Sequence, residues 1–341
     1  MPPSNQGLPA GKLPGEMLGN LLAKIKRDDP RVVVGPGVGE DAAFLDFGDT
    51  LLVAKSDPVT FATDLAGWYA VQVNANDLAC CGATPKWFLG TALLPVGITP
   101  GEVEQIFDQI AKACDALGVT MIGGHTEMTL GITRPIISGT MLGEVTKGKE
   151  VMTAGAQPGD SIILTKGIAI EGTSLLAREM RPQLEHAGVA PEVIDRASDY
   201  IHEPGISVVP QARAAQSAGG VTSMHDPTEG GLATSLEEVA KASGTGILVD
   251  SEKVHVLPET VEICEALGVD PWGLISSGAL LITASPDRAS RVINAVTQTN
   301  ASAVKIGEVR PPEDGLSVIT KGVKEPLAVF VRDEIARVLG D

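Results

Sequence analysis

Aromatic side chains are scarce: 3 Trp, 2 Tyr and 6 Phe in 341 residues. Proteins that stack bases need such platforms, so that mode of binding is disfavoured. Positive charge is also in short supply. The 26 Lys and Arg face 43 Asp and Glu, a net charge of −17, and coating a phosphate backbone needs the opposite balance. No nucleic-acid partner is expected. No apolar run reaches the roughly 18 residues of a membrane span. The opening MPPSNQGLPAGKLPGEM has no basic stretch followed by an apolar one, so neither a leader nor a membrane partner is expected. Only four cysteines occur, Cys80, Cys81, Cys114 and Cys264, and none forms C-x-x-C. A zinc motif and a disulfide framework are both excluded, and a reducing, cytoplasmic setting is the simplest expectation.

The common nucleotide signatures are missing too. Gly35-Pro36-Gly37-Val38-Gly39 fails as a dinucleotide loop because position 40 is Glu. Gly11-Lys12 and Gly148-Lys149 are followed by Leu13 and Glu150, so neither completes a P-loop. Neither G-x-S-x-G nor H-E-x-x-H occurs.

What remains is a chain long enough for about two domains, with 43% hydrophobic residues to fill their cores. Apolar runs predict strands at 32–34, 51–54, 119–122, 135–145, 162–165, 247–249, 279–284 and 304–307. Helical spacing predicts helices over 13–26, 65–79, 100–117, 173–180, 206–218, 234–242, 289–297 and 328–339. Thr99-Pro100-Gly101-Glu102 reads as a capping box, and Asp64 as a helix cap. The polar stretch 146–160, rich in Gly and Pro, places a boundary near residue 150. The expected domains are 1–150 and 151–341, and alternating strands and helices give an α/β (α+β) protein.

Acidic residues stand at the edges of these runs, among small residues: Asp41 in Gly-Glu-Asp-Ala-Ala, Asp57 in Lys-Ser-Asp-Pro, and Asp77 in Asn-Ala-Asn-Asp-Leu-Ala. Each either caps a helix or turn or, with Asn76 beside it, supplies oxygen ligands for a hard divalent cation. Gly123-Gly124-His125-Thr126-Glu127 follows a strand and is either a plain loop or a close approach to a ligand. His225-Asp226-Pro227-Thr228-Glu229-Gly230-Gly231-Leu232 opens a helix, with Asp226 or Thr228 as cap or as ligand contact.

In their order along the chain these strings resemble the aminoimidazole ribonucleotide (AIR) synthetase superfamily. That group includes the hydrogenase maturation protein HypE, thiamine-monophosphate kinase and selenophosphate synthetase. The strings are Gly39 to Ala43, Ser56 to Pro58, Asn76 to Ala79 with Gly82 to Pro85, Gly123 to Thr126, and His225 to Leu232. The last of them, with Ser277-Gly278-Ala279-Leu280-Leu281, looks most like HypE. The resemblance implies a two-domain architecture: an N-terminal α/β domain whose sheet pairs into a homodimer, and a C-terminal α/β domain. It implies ATP and Mg²⁺ as cofactors and phosphoryl transfer to a small-molecule substrate, with a maturation protein as a further partner. Asp41, Asp57 and Asp77 then correspond to the metal and phosphate ligands. Gly39, Asn76, Gly123, Gly124, Asp226 and Thr228 would line the nucleotide site, and Lys12 and His125 would face the transferred group. Two features depart from the relatives: the last cysteine is Cys264, where HypE proteins finish in Cys, and Gly-Gly-His-Thr replaces the Gly-Gly-Asp-Thr of thiamine-monophosphate kinases. A thiamine-monophosphate-kinase-like enzyme and a non-catalytic ATP-binding scaffold are the alternatives.

Overall fold

A computed structural model describes residues 8, 13, 15–26, 28–37, 41–60 and 64–339. The first half forms one six-stranded sheet from β1 (Val32–Val34), β2 (Ala43–Asp46), β3 (Thr50–Val59), β4 (Thr84–Pro95), β5 (Thr120–Thr129) and β6 (Ile136–Thr146), ordered β1-β2-β3-β6-β4-β5. Neighbours pair antiparallel, except that β4 and β5 are parallel. A parallel pair needs a crossover, and helix α3 (Pro100–Leu117) supplies it, after the short α1 (Gly15–Leu22) and the central α2 (Ala66–Cys80). The capping box forms: Thr99 Oγ1 accepts from Glu102 N–H, and Glu102 Oε2 accepts from Thr99 N–H at 2.8 Å.

The second half forms a seven-stranded sheet from β7 (Ser161–Thr165), β8 (Val221–His225), β9 (Gly246–Asp250), β10 (Leu281–Ala284), β11 (Ala303–Arg310), β12 (Leu316–Thr320) and β13 (Val323–Pro326). Its order is β13-β12-β9-β11-β7-β10-β8. Around it lie α4 (Ile170–Glu179), α5 (Arg181–His186), α6 (Pro191–Ser198), α7 (Val209–Ala218), α8 (Gly231–Ser243), α9 (Pro258–Leu267), α10 (Ala289–Thr297) and α11 (Glu334–Leu339). All five residues of β7 are buried. Ile163 joins a core continuous with the first half, whereas Ile162 and Leu164 feed a second core on the other face. The alternation of side chains along a strand makes this division. The fold is a mixed α/β architecture, and no helix among the described residues is long and apolar enough to cross a membrane.

The structure corrects several sequence expectations. Strand β3 does not stop at Ala54 but runs to Val59 through Lys55-Ser56-Asp57-Pro58. Strand β2 pairs only with Leu51 to Ala54, so beyond that point β3 is an edge on one side and tolerates a proline there. Strand β5 likewise passes straight through Gly123 and Gly124. Strand β4 was not predicted. Helix α7 begins at Val209 rather than 206, and the C-terminal helix covers only Glu334–Leu339. Asp64 does not cap α2, which starts after Leu65 with no side-chain cap.

Helix α2 is buried nearly all round, against β3, β4 and β6 on one side and the second half on the other. This explains its small, apolar sequence, AGWYAVQVNANDLAC. It also means that its Gln72, Asn74, Asn76 and Asp77 are buried and must find partners inside the protein.

Candidate active site

Lys55 and Asp57 are two residues apart on β3 and so share a face, the face covered by α2. Helix α2 fixes that strand through Asn74. Asp57 N–H donates to Asn74 Oδ1 at 2.9 Å, and Asn74 Nδ2 donates to Asp57 O at 3.1 Å and Ala70 O at 2.8 Å. Gly139 lies opposite Asp57 on β6, where a Cβ would sit 2.5 Å from Asn74 Nδ2. One turn on, α2 presents Asp77. The Lys55 ammonium meets Asp77 Oδ2 at 3.1 Å, as an ion pair rather than an aligned hydrogen bond, and Asp57 Oδ2 at 3.8 Å. Burial pulls the Lys55 pKa down, but Asp77, Asp57 and Asp41 together outweigh it and hold the amine protonated. Burial pushes Asp77 well up, reinforced by Asp226, Asp41 and Asp57 and opposed by Lys55.

Asp41 and the second half complete the cluster. Asp41 Oδ2 accepts from Thr153 Oγ1 at 3.0 Å and faces His225 Nδ1 at 3.1 Å, while His225 Nε2 faces Glu238 Oε2 at 3.0 Å. Desolvation alone would strip the His225 proton. The two flanking carboxylates reverse that and raise its pKa well above the ordinary histidine value. Asp41 is correspondingly held low, its own burial outweighed by His225, Lys55 and Thr153. Asp226, the next residue, is pushed up to about 6, first by burial and then by Asp41. Its Oδ1 accepts from the Cys80 thiol at 3.5 Å, while its buried Oδ2 has no protein partner. Four carboxylates from separate stretches of sequence thus surround one ammonium at the seam between the two sheets.

The remaining predicted residues take different places. Asn76 is not free to hold a nucleotide: its Nδ2 donates to Ile206 O and its Oδ1 accepts from Val208 N–H, both at 2.8 Å. It clamps the two halves together, because a fully buried amide is stable only when satisfied. Gly124 makes room for the neighbouring strand, since a Cβ there would lie 2.0 Å from Gly90 O. The register places Gly124 in line with Gly90, Gly139 and Asp57, and His125 in line with Thr91, Ser138 and Pro58. His125 therefore lies on the opposite face of the sheet from Asp57. It is exposed there, 3.1 Å from Glu127 Oε2. Thr228 lies in the turn after β8, its backbone carbonyl accepting from Gly231 N–H. Gly39 and Lys12 lie outside the described residues. The cysteines are all buried and free.

Sequence reasoning missed Lys55, Asn74, His225, Glu238 and Arg178. Lys55 had a usable signal, its i, i+2 spacing to Asp57, which was lost when β3 was ended at Ala54. His225 had none, because its partner Asp41 lies 184 positions away. Arg178 of α4 bridges the halves, donating to Tyr69 Oη at 2.9 Å and pairing with Asp64 Oδ2 at 2.8 Å. Near it, Glu171 at the start of α4 is pushed up to about 7, chiefly by burial.

Residues 39–145 match the family profile described as AIR synthase related protein, N-terminal domain, and residues 157–319 match that of the C-terminal domain. A putative hydrogenase expression/formation protein of Methanocaldococcus jannaschii is 28% identical over 319 residues, covering 89% of this chain and 91% of the relative. Carbamoyl dehydratase HypE of Rhizobium leguminosarum bv. viciae is 30% identical over 256 residues, covering 74% of this chain and 70% of the relative. Among solved structures, a chain of a HypE–HypF complex superposes with a TM-score of 0.75 at 23% identity, covering 92% of this chain and 99% of that one. HypE in complex with ATP superposes at 0.71 with 24% identity, covering 90% and 92%. At these identities the structural matches show a shared fold.

Proposed function

The chain belongs to the AIR synthase related protein family in both of its domains, and on that premise we propose that it is a HypE-like enzyme that uses Mg-ATP to activate a small substrate by phosphoryl transfer. The observation that carries this reading is the convergence of Asp41, Asp57, Asp77 and Asp226 on Lys55 between the two halves. The ATP bound to HypE in one matched structure supports the nucleotide.

A nucleotide's phosphates would be repelled by so acidic a cluster. Bound Mg²⁺ would supply the neutralising charge. The donor set fits: all are hard oxygens, and Asp226 Oδ2 is buried without a partner. Among the described residues no three His, Cys, Asp or Glu side chains form a closed cage. That suits an ion shared between one or two carboxylates and phosphates. One or two of Asp41, Asp57 and Asp77 would hold it, with Asp226 beside them.

The chain's own groups do the positioning on which such catalysis depends. Lys55 is a fixed point charge that keeps the carboxylates from repelling one another. His225, clamped between Asp41 and Glu238, orients Asp41. Asn74 fixes the backbone of Asp57. Thr228 would stand on the phosphate side, where the resemblance also assigns Gly39 and Lys12. Gly123, Gly124 and His125 belong to β5, and His125 faces the side we assign to a homodimer. Leu89, Leu93, Ile136 and Leu142 lie half-buried on that side. A role in metallocentre maturation with a protein partner rests on the names of the relatives.

The test is Asp57→Asn. Its side chain is half-exposed and its backbone is held by Asn74, so the fold should survive. Calorimetric titration with Mg-ATP should show binding to the parent and a loss of at least about tenfold, or roughly 1.4 kcal/mol, in the variant. Equal affinity in both proteins would refute the assignment.

A further inference from the structure

A cavity lies in the C-terminal half, lined by none of the clustered carboxylates. It measures about 310 Å³, at the small end of the roughly 300–1,000 Å³ typical of small-ligand pockets. Lys166 and Gln211 line it, and both are buried, at 9% and 5% exposure. Glu203, His255 and Asn300 also line it and are exposed, forming its rim.

The floor has one spare donor and one spare acceptor. Lys166 Nζ donates to Gly205 O at 2.9 Å and Ser207 O at 2.7 Å, which leaves one of its three N–H groups for a ligand. Gln211 Nε2 donates to Thr299 Oγ1 at 3.2 Å, but its Oε1 is buried with no partner. An unsatisfied buried carbonyl is costly, so this oxygen calls for a donor. The rim adds a negative charge, Glu203, near enough to act on the Lys166 ammonium. Two of the five non-glycine residues with positive φ among the described residues, Lys166 (φ 58°) and Asn300 (φ 61°), stand on this one cavity. Backbone held in that region concentrates at ligand sites.

A cation on the floor, a buried acceptor beside it and an anion on the rim complement a ligand with the reverse pattern. We propose that this cavity is a second ligand site that takes a small α-amino acid as its zwitterion, the carboxylate on Lys166 and the ammonium between Gln211 Oε1 and Glu203. The proposal stands independently of the nucleotide reading.

The test is calorimetric titration of the full chain with glycine, L-alanine, L-serine and L-glutamine, and with acetate and methylammonium as the two separate halves of the pattern. One of the four amino acids should bind saturably, one per chain, at millimolar concentration or below, and neither half should displace it at the same concentration. Gln211→Leu and Glu203→Gln should each weaken that binding by about tenfold or more, with circular dichroism confirming that both variants fold. Asp57→Asn should leave it unchanged. Failure of all four to bind, undiminished binding in both cavity variants, or displacement by acetate as effective as by the amino acid itself would each overturn the proposal.

Discussion

Two lysines drawn largely out of water stand at the two sites, Lys55 half-buried and Lys166 buried, and their surroundings set them apart. Lys55 is ringed by Asp77, Asp57 and Asp41, and their combined field outweighs the cost of burial, so its amine stays charged. Lys166 is ringed by the carbonyls of Gly205 and Ser207, with only the exposed Glu203 for charge, and burial wins: its pKa falls to about 8. Full charges can repay the desolvation of an ammonium, and neutral dipoles repay it only in part. The first environment fits a permanent electrostatic fixture. The second fits a group still in want of a counter-ion.

Substitutions can break or sharpen that contrast. The largest effect is expected for Lys55→Met, which leaves Asp77 and Asp41 buried without their shared cation. Losing one partner of a buried ionic group costs about 3–5 kcal/mol, readable as a lowered urea midpoint. An effect below roughly 1 kcal/mol would mean that Lys55 behaves as a surface charge. His225→Gln comes next, at about 2 kcal/mol, because a neutral amide keeps one hydrogen bond but loses the ionic pairing. Its sign depends on pH. The native His225 pKa is raised above the unfolded value of 6.5, so its contribution is complete below pH 6.5 and fades as pH rises through the native value. The gap between parent and variant should therefore narrow on the alkaline side. Lys166→Met should cost least, about 1–2 kcal/mol at pH 7, since the adjoining cavity lets water reach the freed carbonyls. Its pH trend is the reverse. Native Lys166 releases its proton near 8, whereas the unfolded chain keeps it to about 10.5. The parent gains stability across that window and the gap should widen. Parallel trends for the two variants would dissolve the contrast between the sites.

The alternation of strands and helices was legible because hydrophobic period is a local signal, and α3 with its capping box was found almost residue for residue. The carboxylates were legible as types: Asp41, Asp57 and Asp77 each stood in a string of small residues beside an apolar run, and Asp226 at the opening of a helix. Hidden was what each one meets. Pro58 looked like the end of a strand because the sequence cannot show that β3 loses a neighbour after Ala54, and that error concealed Lys55. Asn76 looked like a ligand because it precedes Asp77. Consecutive residues on a helix point about 100° apart, however, and Asn76 turns towards Ile206 and Val208 while Asp77 turns towards Lys55. The glycines at 123 and 124 signalled close approach correctly, but Gly124 approaches a neighbouring strand.

The stretch Gly205 to Val208 is held from both sides, by Asn76 through Ile206 O and Val208 N–H, and by Lys166 through the carbonyls of Gly205 and Ser207. The peptide groups of this turn point to both sides, so a single strip of backbone serves as a party wall between the carboxylate cluster and the Lys166 cavity. A ligand that tugs on one side of that wall does work against the other. By thermodynamic reciprocity, any amount by which an amino acid in the cavity tightens or loosens the nucleotide must be returned in equal measure by the nucleotide to the amino acid.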